Sequence, residues 1–295
     1  MSNKLYYIYV NSFWSGFVDK TDSNHIEFFE NLLKNTKLKN FEITNDFKKA
    51  NILFESHFGG SLTESKNWEK KIFFSGENYP IYFEKYDIIL CNFKTHNNII
   101  DLPLFLYYIH GNNFMNRLLN RHIINTVPQK FCCFIVSNGG CQVRNKMFEM
   151  LSYYKKVDSL GKFNNNAGYV IQYDYWTNEY LKELSKYKFI ICFENSKNGT
   201  YITEKIANGY LANIIPIYWS TQHIKNIFNE DSMLFLEDEN NHQCYIDICN
   251  RVVELDNDDS KYLEFINRPI INKNTNYLSK EYSIDTICKN IDNLL

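Results

Sequence analysis

Two short stretches combine residue types that can do chemistry. Ser75-Gly76-Glu77-Asn78 follows the apolar run Lys71–Phe74. Such a run reads as a strand, and open α/β sheets place their ligands at the carboxyl ends of strands. Gly76 permits a tight turn that would aim the Glu77 carboxylate inward. The second stretch, Thr203-Glu204-Lys205, opens a helical pattern. Free backbone N–H groups and the helix dipole favour an anion there. Lys205 opposes that dipole, so its place is beside the negative charge of a ligand. Glu204 can accept hydrogen bonds from ligand hydroxyls. Taken singly, each stretch has an ordinary alternative: a solvated loop glutamate, or solvated charges at a helix start.

The elements that must hold these residues are legible. Phe189–Phe193 has the composition of a buried parallel strand. A polar loop with a glycine follows, Glu194 to Tyr201, then the helix with Ile206, Tyr210 and Leu211, then a second strand, Ile214–Trp219. Upstream, Leu5–Val10, Asn51–Phe54, Lys71–Phe74 and Asp87–Cys91 read as strands. A helix begins near Asn24, with Ile26, Phe29, Leu32 and Leu33 on one face, and Leu102–Ile109 is apolar all round. Phe131–Val136, a helix over Arg144–Lys156, a strand at Met233–Leu236, helices at Tyr245–Leu255 and Tyr262–Ile266, and an amphipathic end at Ile284–Leu295 complete the second half. The pattern breaks over Asn112–Val127 and Pro128, which divides the chain into 1–125 and 126–295. Both halves alternate strand and helix, so the expected class is α/β with two Rossmann-like domains.

The residues of the second strand–loop–helix unit carry a resemblance. Phe193-Glu194-Asn195-Ser196, Tyr201, Thr203-Glu204-Lys205 and Pro216-Ile217-Tyr218-Trp219 stand in the order of the donor-binding motif of the α1,3/1,4-fucosyltransferase family. Ser137-Asn138, Arg144-Asn145 and Phe148 resemble a second segment of that family, and Gly76-Glu77-Asn78 a third. The resemblance implies a GT-B fold, two Rossmann-like domains facing a cleft, acceptor on the first and GDP-fucose on the second. It implies an inverting transfer from GDP-β-L-fucose, with Glu77 as the base on the acceptor hydroxyl, as inversion in one displacement requires. Arg144, whose planar fork grips phosphate oxygens bidentately, and Lys205 would stabilise the departing diphosphate. Tyr201, Glu204, Asn195, Ser137 and Asn138 carry over as donor contacts. The acceptor, O3 of a GlcNAc or glucose unit in an oligosaccharide, would meet Trp14 and Tyr79, because aromatic faces stack on sugar rings. Leu160 and Ser220 replace glycines of the family pattern, and Gln222 replaces a proline. These departures keep open a same-fold transferase with another nucleotide sugar.

Composition bounds the rest. At 295 residues, 44% hydrophobic and 22% charged, the chain has the make-up of a soluble globular protein. A net charge of −2 without a basic cluster argues against nucleic acid as partner. Met1–Phe17 has no leader pattern, and no apolar run approaches the ~20 residues of a membrane span. The eight cysteines form no CxxC pair and lie mostly in apolar runs. They read as reduced, which points to the cytoplasm. Histidine-rich ligand spacing is missing, and the runs Glu237–Glu239 and Asp256–Asp259 read as solvated loops. No metal site or cofactor is expected beyond a divalent cation that stimulates product release. The rival from another class is a catalytically silent glycan- or nucleotide-binding protein. Keeping Glu77, Arg144, Glu204 and Lys205 together argues against it.

Overall fold

Every residue of Ile52–Glu55 and of Ile88–Cys91 is buried, as in strands covered on both faces. Both belong to a parallel sheet. The structure, a computed structural model, describes residues 4–22, 24–112, 114–271 and 282–295. The first three residues of the Met1–Phe17 stretch lie outside them. Two compact units emerge.

Unit 1 comprises Met1–Asn113, Asn198–Tyr201 and Ser279–Leu295. Its elements are β1 (Tyr6–Asn11), α1 (Glu27–Lys34), β2 (Phe41–Ile43), β3 (Ile52–Glu55), β4 (Lys70–Ser75), β5 (Ile88–Cys91), β6 (Ile99–Asp101) and α2 (Leu104–Gly111). The six strands run parallel in the order β2-β1-β3-β4-β5-β6. Glu55 pairs with Phe73, and Ser75 with Cys91. Helix α1 buries Phe28, Phe29, Leu32 and Leu33, each about 1.5–3 kcal/mol of burial. Helix α2, apolar all round, is buried from Phe105 to Ile109.

Unit 2 comprises Phe114–Lys197 and Ile202–Leu278. It contains α3 (Met115–Leu119), β7 (Lys130–Phe134), α4 (Gln142–Tyr154), β8 (Val157–Ser159), α5 (Asn178–Leu184), β9 (Tyr187–Ile191), α6 (Glu204–Leu211), β10 (Ile215–Tyr218), α7 (Ile224–Ile227), β11 (Leu234–Phe235), α8 (His242–Asn257) and α9 (Asp259–Ile266). Its parallel sheet has the order β11-β10-β9-β7-β8. Phe134, Leu151, Phe189, Ile217, Val252 and Tyr262 anchor its core.

The last helix, α10 (Ile284–Leu294), returns to unit 1. Ser283 caps it by accepting from Thr286 N at 3.2 Å. It buries Ile287, Cys288 and Ile291 beside α1, and Asp292 accepts Lys37 N at 2.6 Å.

Two expectations change. The units divide at 113/114, not at 125/126. Residues 114–125 belong with unit 2 because α3 packs on α6, Arg121 Nε donates to Asn213 Oδ1 at 3.3 Å, and Ile124 N donates to Asn267 Oδ1 at 2.8 Å. Asp256 is not solvated. It is buried at the end of α8, paired with Lys155 and Lys188 at 3.0 Å each. Burial pushes its carboxyl up, but the two lysines outweigh this and hold it below its ordinary value.

Candidate active site

In unit 1 the chemistry gathers past the end of β4. Ser75 is fully buried, and its Oγ donates to the Glu77 carbonyl at 3.0 Å and accepts from Glu77 N at 3.3 Å. The same hydroxyl meets His57 Nδ1 at 3.2 Å. This clamp sets the backbone that carries the Glu77 side chain. Gly76 does not adopt positive φ; its missing side chain is used by Leu104, whose Cδ1 would stand 2.5 Å from a Cβ there. The Glu77 carboxylate accepts from Tyr201 Oη at 3.0 Å. Tyr201 ends the four-residue stretch Asn198–Tyr201, which the ends of β5 and β6 hold. Thr200 N donates to the Asn92 carbonyl at 2.6 Å, and the Thr200 hydroxyl donates to Asp101. Gly199 has φ +49°, and a Cβ on it would overlap the Asn92 carbonyl oxygen, so only glycine fits.

In unit 2 the helix start at Thr203 folds as its spacing predicts. Thr203 is the N-cap of α6, its Oγ1 accepting from Lys205 N at 3.5 Å. Lys205 Nζ lies 2.9 Å from Thr203 Oγ1, 3.3 Å from Glu194 Oε2 and 3.4 Å from Glu204 Oε1. A cavity of about 300 Å³ opens there, and its lining includes Ser137, Tyr173, Asp174, Glu204 and Lys205. Arg144 is buried in the first turn of α4, and its Nη2 donates to the Asn138 carbonyl at 2.7 Å. Asn145 holds the Gly139 carbonyl at 2.7 Å, and Asn138 Oδ1 accepts Gly140 N at 2.8 Å. The Ser137–Gly140 turn is therefore fixed by α4. Asn195 is exposed, its Oδ1 accepting from Ser196 Oγ at 2.9 Å. Leu160 and Ser220 are fully buried and do not line this cavity.

A profile described as "Glycosyltransferase family 10 (fucosyltransferase) C-term" matches residues 126–294, more than half of the chain. The chain belongs to glycosyltransferase family 10 (fucosyltransferase). Among proteins similar to it, an "Alpha-(1,3)-fucosyltransferase FucT" of Helicobacter pylori is 35% identical over 117 residues, 40% of this chain and 23% of that protein. A "Putative fucosyltransferase R654" of Acanthamoeba polyphaga mimivirus is 30% identical over 168 residues, 55% of this chain and 26% of that protein. The chain thus spans about a quarter of the length of these two relatives. In fold it is similar to a crystal structure of an α1,3-fucosyltransferase with GDP-fucose, at TM-score 0.74 and 19% identity, covering 100% of this chain and 92% of that one.

Within this family 10 member the structure brings Ser137, Glu204 and Lys205 to one cavity and Arg144 with Asn138 to the neighbouring turn. It brings Tyr201 to Glu77. Sequence reasoning gave Glu194 no role, yet this carboxylate is fully buried and organises the helix start. It accepts Thr203 N, Thr203 Oγ1 and Tyr218 Oη at 2.8, 2.8 and 2.9 Å, besides facing Lys205. Burial pushes its carboxyl up, and Lys205 pulls it back. The signal was there: an acid immediately after a buried apolar strand must be paired. The buried thiols behave as small hydrophobes, burial pushing Cys91 up to about 12 and Cys192 well above the ordinary range. Among the described residues no helix is long and apolar enough to cross a membrane, and no three potential ligands cluster for a metal.

Proposed function

We infer that the chain is an inverting α1,3-fucosyltransferase of the two-domain GT-B type. It moves L-fucose from GDP-β-L-fucose to a hydroxyl of an oligosaccharide, O3 of a GlcNAc or glucose unit. The observation that carries this reading is the capped start of α6. Lys205 and Glu204 there line a cavity at the carboxyl end of β9, as a nucleotide sugar's diphosphate and ribose require. The names of similar proteins and the GDP-fucose bound in a similar structure support the donor.

In this reading Glu77 takes the proton of the acceptor hydroxyl as its oxygen attacks the anomeric carbon from the face opposite the diphosphate. The carbon–oxygen bond to the diphosphate breaks, and GDP leaves with its developing charge stabilised by Arg144 and Lys205. Glu204 accepts from ribose hydroxyls, and Ser137, Asn138 and Asn195 border the nucleotide. The tyrosine hydroxyl on Glu77 holds that carboxylate in one orientation. The mechanism needs no resident metal, while a divalent ion bound to released GDP would speed product release. Activity retained in EDTA supports that point, and complete loss restored by one metal overturns it.

The test is a panel of nucleotide sugars with an oligosaccharide array, run on the wild type and on Glu77→Ala. Turnover with GDP-fucose alone, lost by about 10²-fold or more in the variant while GDP still binds, is the expected result. Turnover with another donor selects a different transferase. Binding without turnover selects a silent binding protein.

A further inference from the structure

Three neighbouring strands of unit 1, β1, β3 and β4, end in loops that carry Trp14, His57 with Phe58, and Tyr79. Their rings form a continuous row. Trp14 meets Phe58 edge-on, centroids 5.5 Å apart at 79°. Phe58 stacks on His57 at 4.2 Å, and His57 stacks on Tyr79 at 4.6 Å and 12°. Core aromatics would be covered, but Phe58 is 54% exposed and Tyr79 50%. Single exposed rings are ordinary; here two exposed rings flank the half-buried His57 ring in one continuous row, and the half-buried Trp14 extends it.

The row is held rigidly. Ser12 sits at φ +58°, a strained conformation for a residue with a side chain, and its carbonyl accepts Phe58 N at 3.0 Å. Asn11 Nδ2 and Ser12 Oγ each donate to the Gly60 carbonyl at 2.8 Å. Beneath them the fully buried Glu55 accepts Asn11 Nδ2 and Leu62 N at 2.8 Å and Tyr86 Oη at 2.6 Å. The whole loop from Ser56 to Leu62 is thereby tied to β1 and β3. A loop that needed only to connect two strands has no use for this.

The row ends at Glu77. Tyr79 N donates to the Glu77 carbonyl at 2.8 Å, and Ser75 Oγ joins the Glu77 backbone to the His57 ring. We propose that the rings of Trp14, Phe58, His57 and Tyr79 form the floor on which the sugar rings of the acceptor lie, its reactive hydroxyl turned toward Glu77. The proposal rests on the reading of Glu77 as the base. A pyranose presents C–H groups on one face and hydroxyls at its rim, which suits rings that are apolar on the face and polar at one edge. Here Tyr79 Oη and His57 Nε2 supply that edge. Nε2 has no hydrogen-bond partner among the described residues. Burial pushes His57 below its ordinary value despite the nearby Glu77, so at neutral pH the ring is uncharged; with the Ser75 hydroxyl donating to the Glu77 carbonyl, Nδ1 carries the ring proton and Nε2 accepts.

The test is saturation-transfer NMR of N-acetyllactosamine and lactose with the protein and GDP, which reads sugar contact whether or not fucose moves. The wild type should show contact. Phe58→Ala and Tyr79→Ala should each weaken it about tenfold, while Phe58→Tyr should stay within about twofold. Thermal unfolding midpoints of the variants verify their folding. In turnover, both alanine variants should raise the acceptor KM and leave the GDP-fucose KM in place. Equal binding by the wild type and both alanine variants, or no contact in the wild type, overturns the platform. Sugar contact in a wild type that transfers no fucose leaves the platform standing and removes the transferase reading.

Discussion

Tyr201 Oη donates to Glu77 Oε2 at 3.0 Å, although 124 positions separate the two residues. Tyr201 is almost wholly buried, so its hydroxyl restrains the carboxylate from a fixed base. In Tyr201→Phe the ring stays and the donor goes. kcat for fucosyl transfer should fall about tenfold while the GDP dissociation constant moves by less than about twofold. Steady-state kinetics with calorimetry of GDP binding decide. A large loss of GDP affinity with kcat kept would assign the hydroxyl to the nucleotide instead.

Glu194→Gln keeps the shape of a fully buried side chain but removes the charge facing Lys205, 3.3 Å away. It also puts an amide nitrogen, which cannot accept, where a carboxylate oxygen accepts from Thr203 or Tyr218. The expected cost is about 1–3 kcal/mol in urea unfolding. GDP affinity should drop several-fold as Lys205 loses its anchor. Unchanged stability and unchanged GDP binding together would show that this carboxylate organises nothing.

Backbone closeness separates two glycines. A Cβ on Gly161 would overlap the Val136 carbonyl and amide, whereas one on Gly60 would meet nothing within 4 Å. Gly161→Ala should therefore cost at least about 1–3 kcal/mol, the range for overpacking, and Gly60→Ala well under 1 kcal/mol (about 0.5). Denaturant melts of the two variants measure the difference.

Acidification should weaken the fold in a defined window. Burial lowers the His110 imidazole below its ordinary 6.5, and His57 shifts the same way. Between the folded and unfolded values the unfolded chain binds more protons, so stability is present above 6.5 and is lost as pH falls through the folded value. Carboxylates held low, such as Asp256 and Glu237, act only in a more acidic window. Urea midpoints at about pH 7.5 and about pH 5.5 should differ, and His110→Gln should reduce the difference. A midpoint independent of pH across this range would contradict the burial argument.

What the sequence determined by itself is local. Unbroken apolar runs announced β3, β5 and β9 because a strand covered on both faces must be apolar throughout. Thr203, Glu204 and Lys205 announced the start of α6, since capping depends on residues within one turn. The three-residue strands β2, β6 and β8 escaped notice, being too short for any period to show. Tertiary structure alone decided that Asn198–Tyr201, inside the donor motif, belongs to unit 1 and gives its tyrosine to Glu77. It alone decided that Glu194 is a buried hub, and that Trp14, Phe58, His57 and Tyr79 form one row. The physical reason is that sequence pattern records which face of an element is buried. Which strand lies beside which is fixed by long-range pairing, and the side chains meeting at the sheet's edge follow from that order.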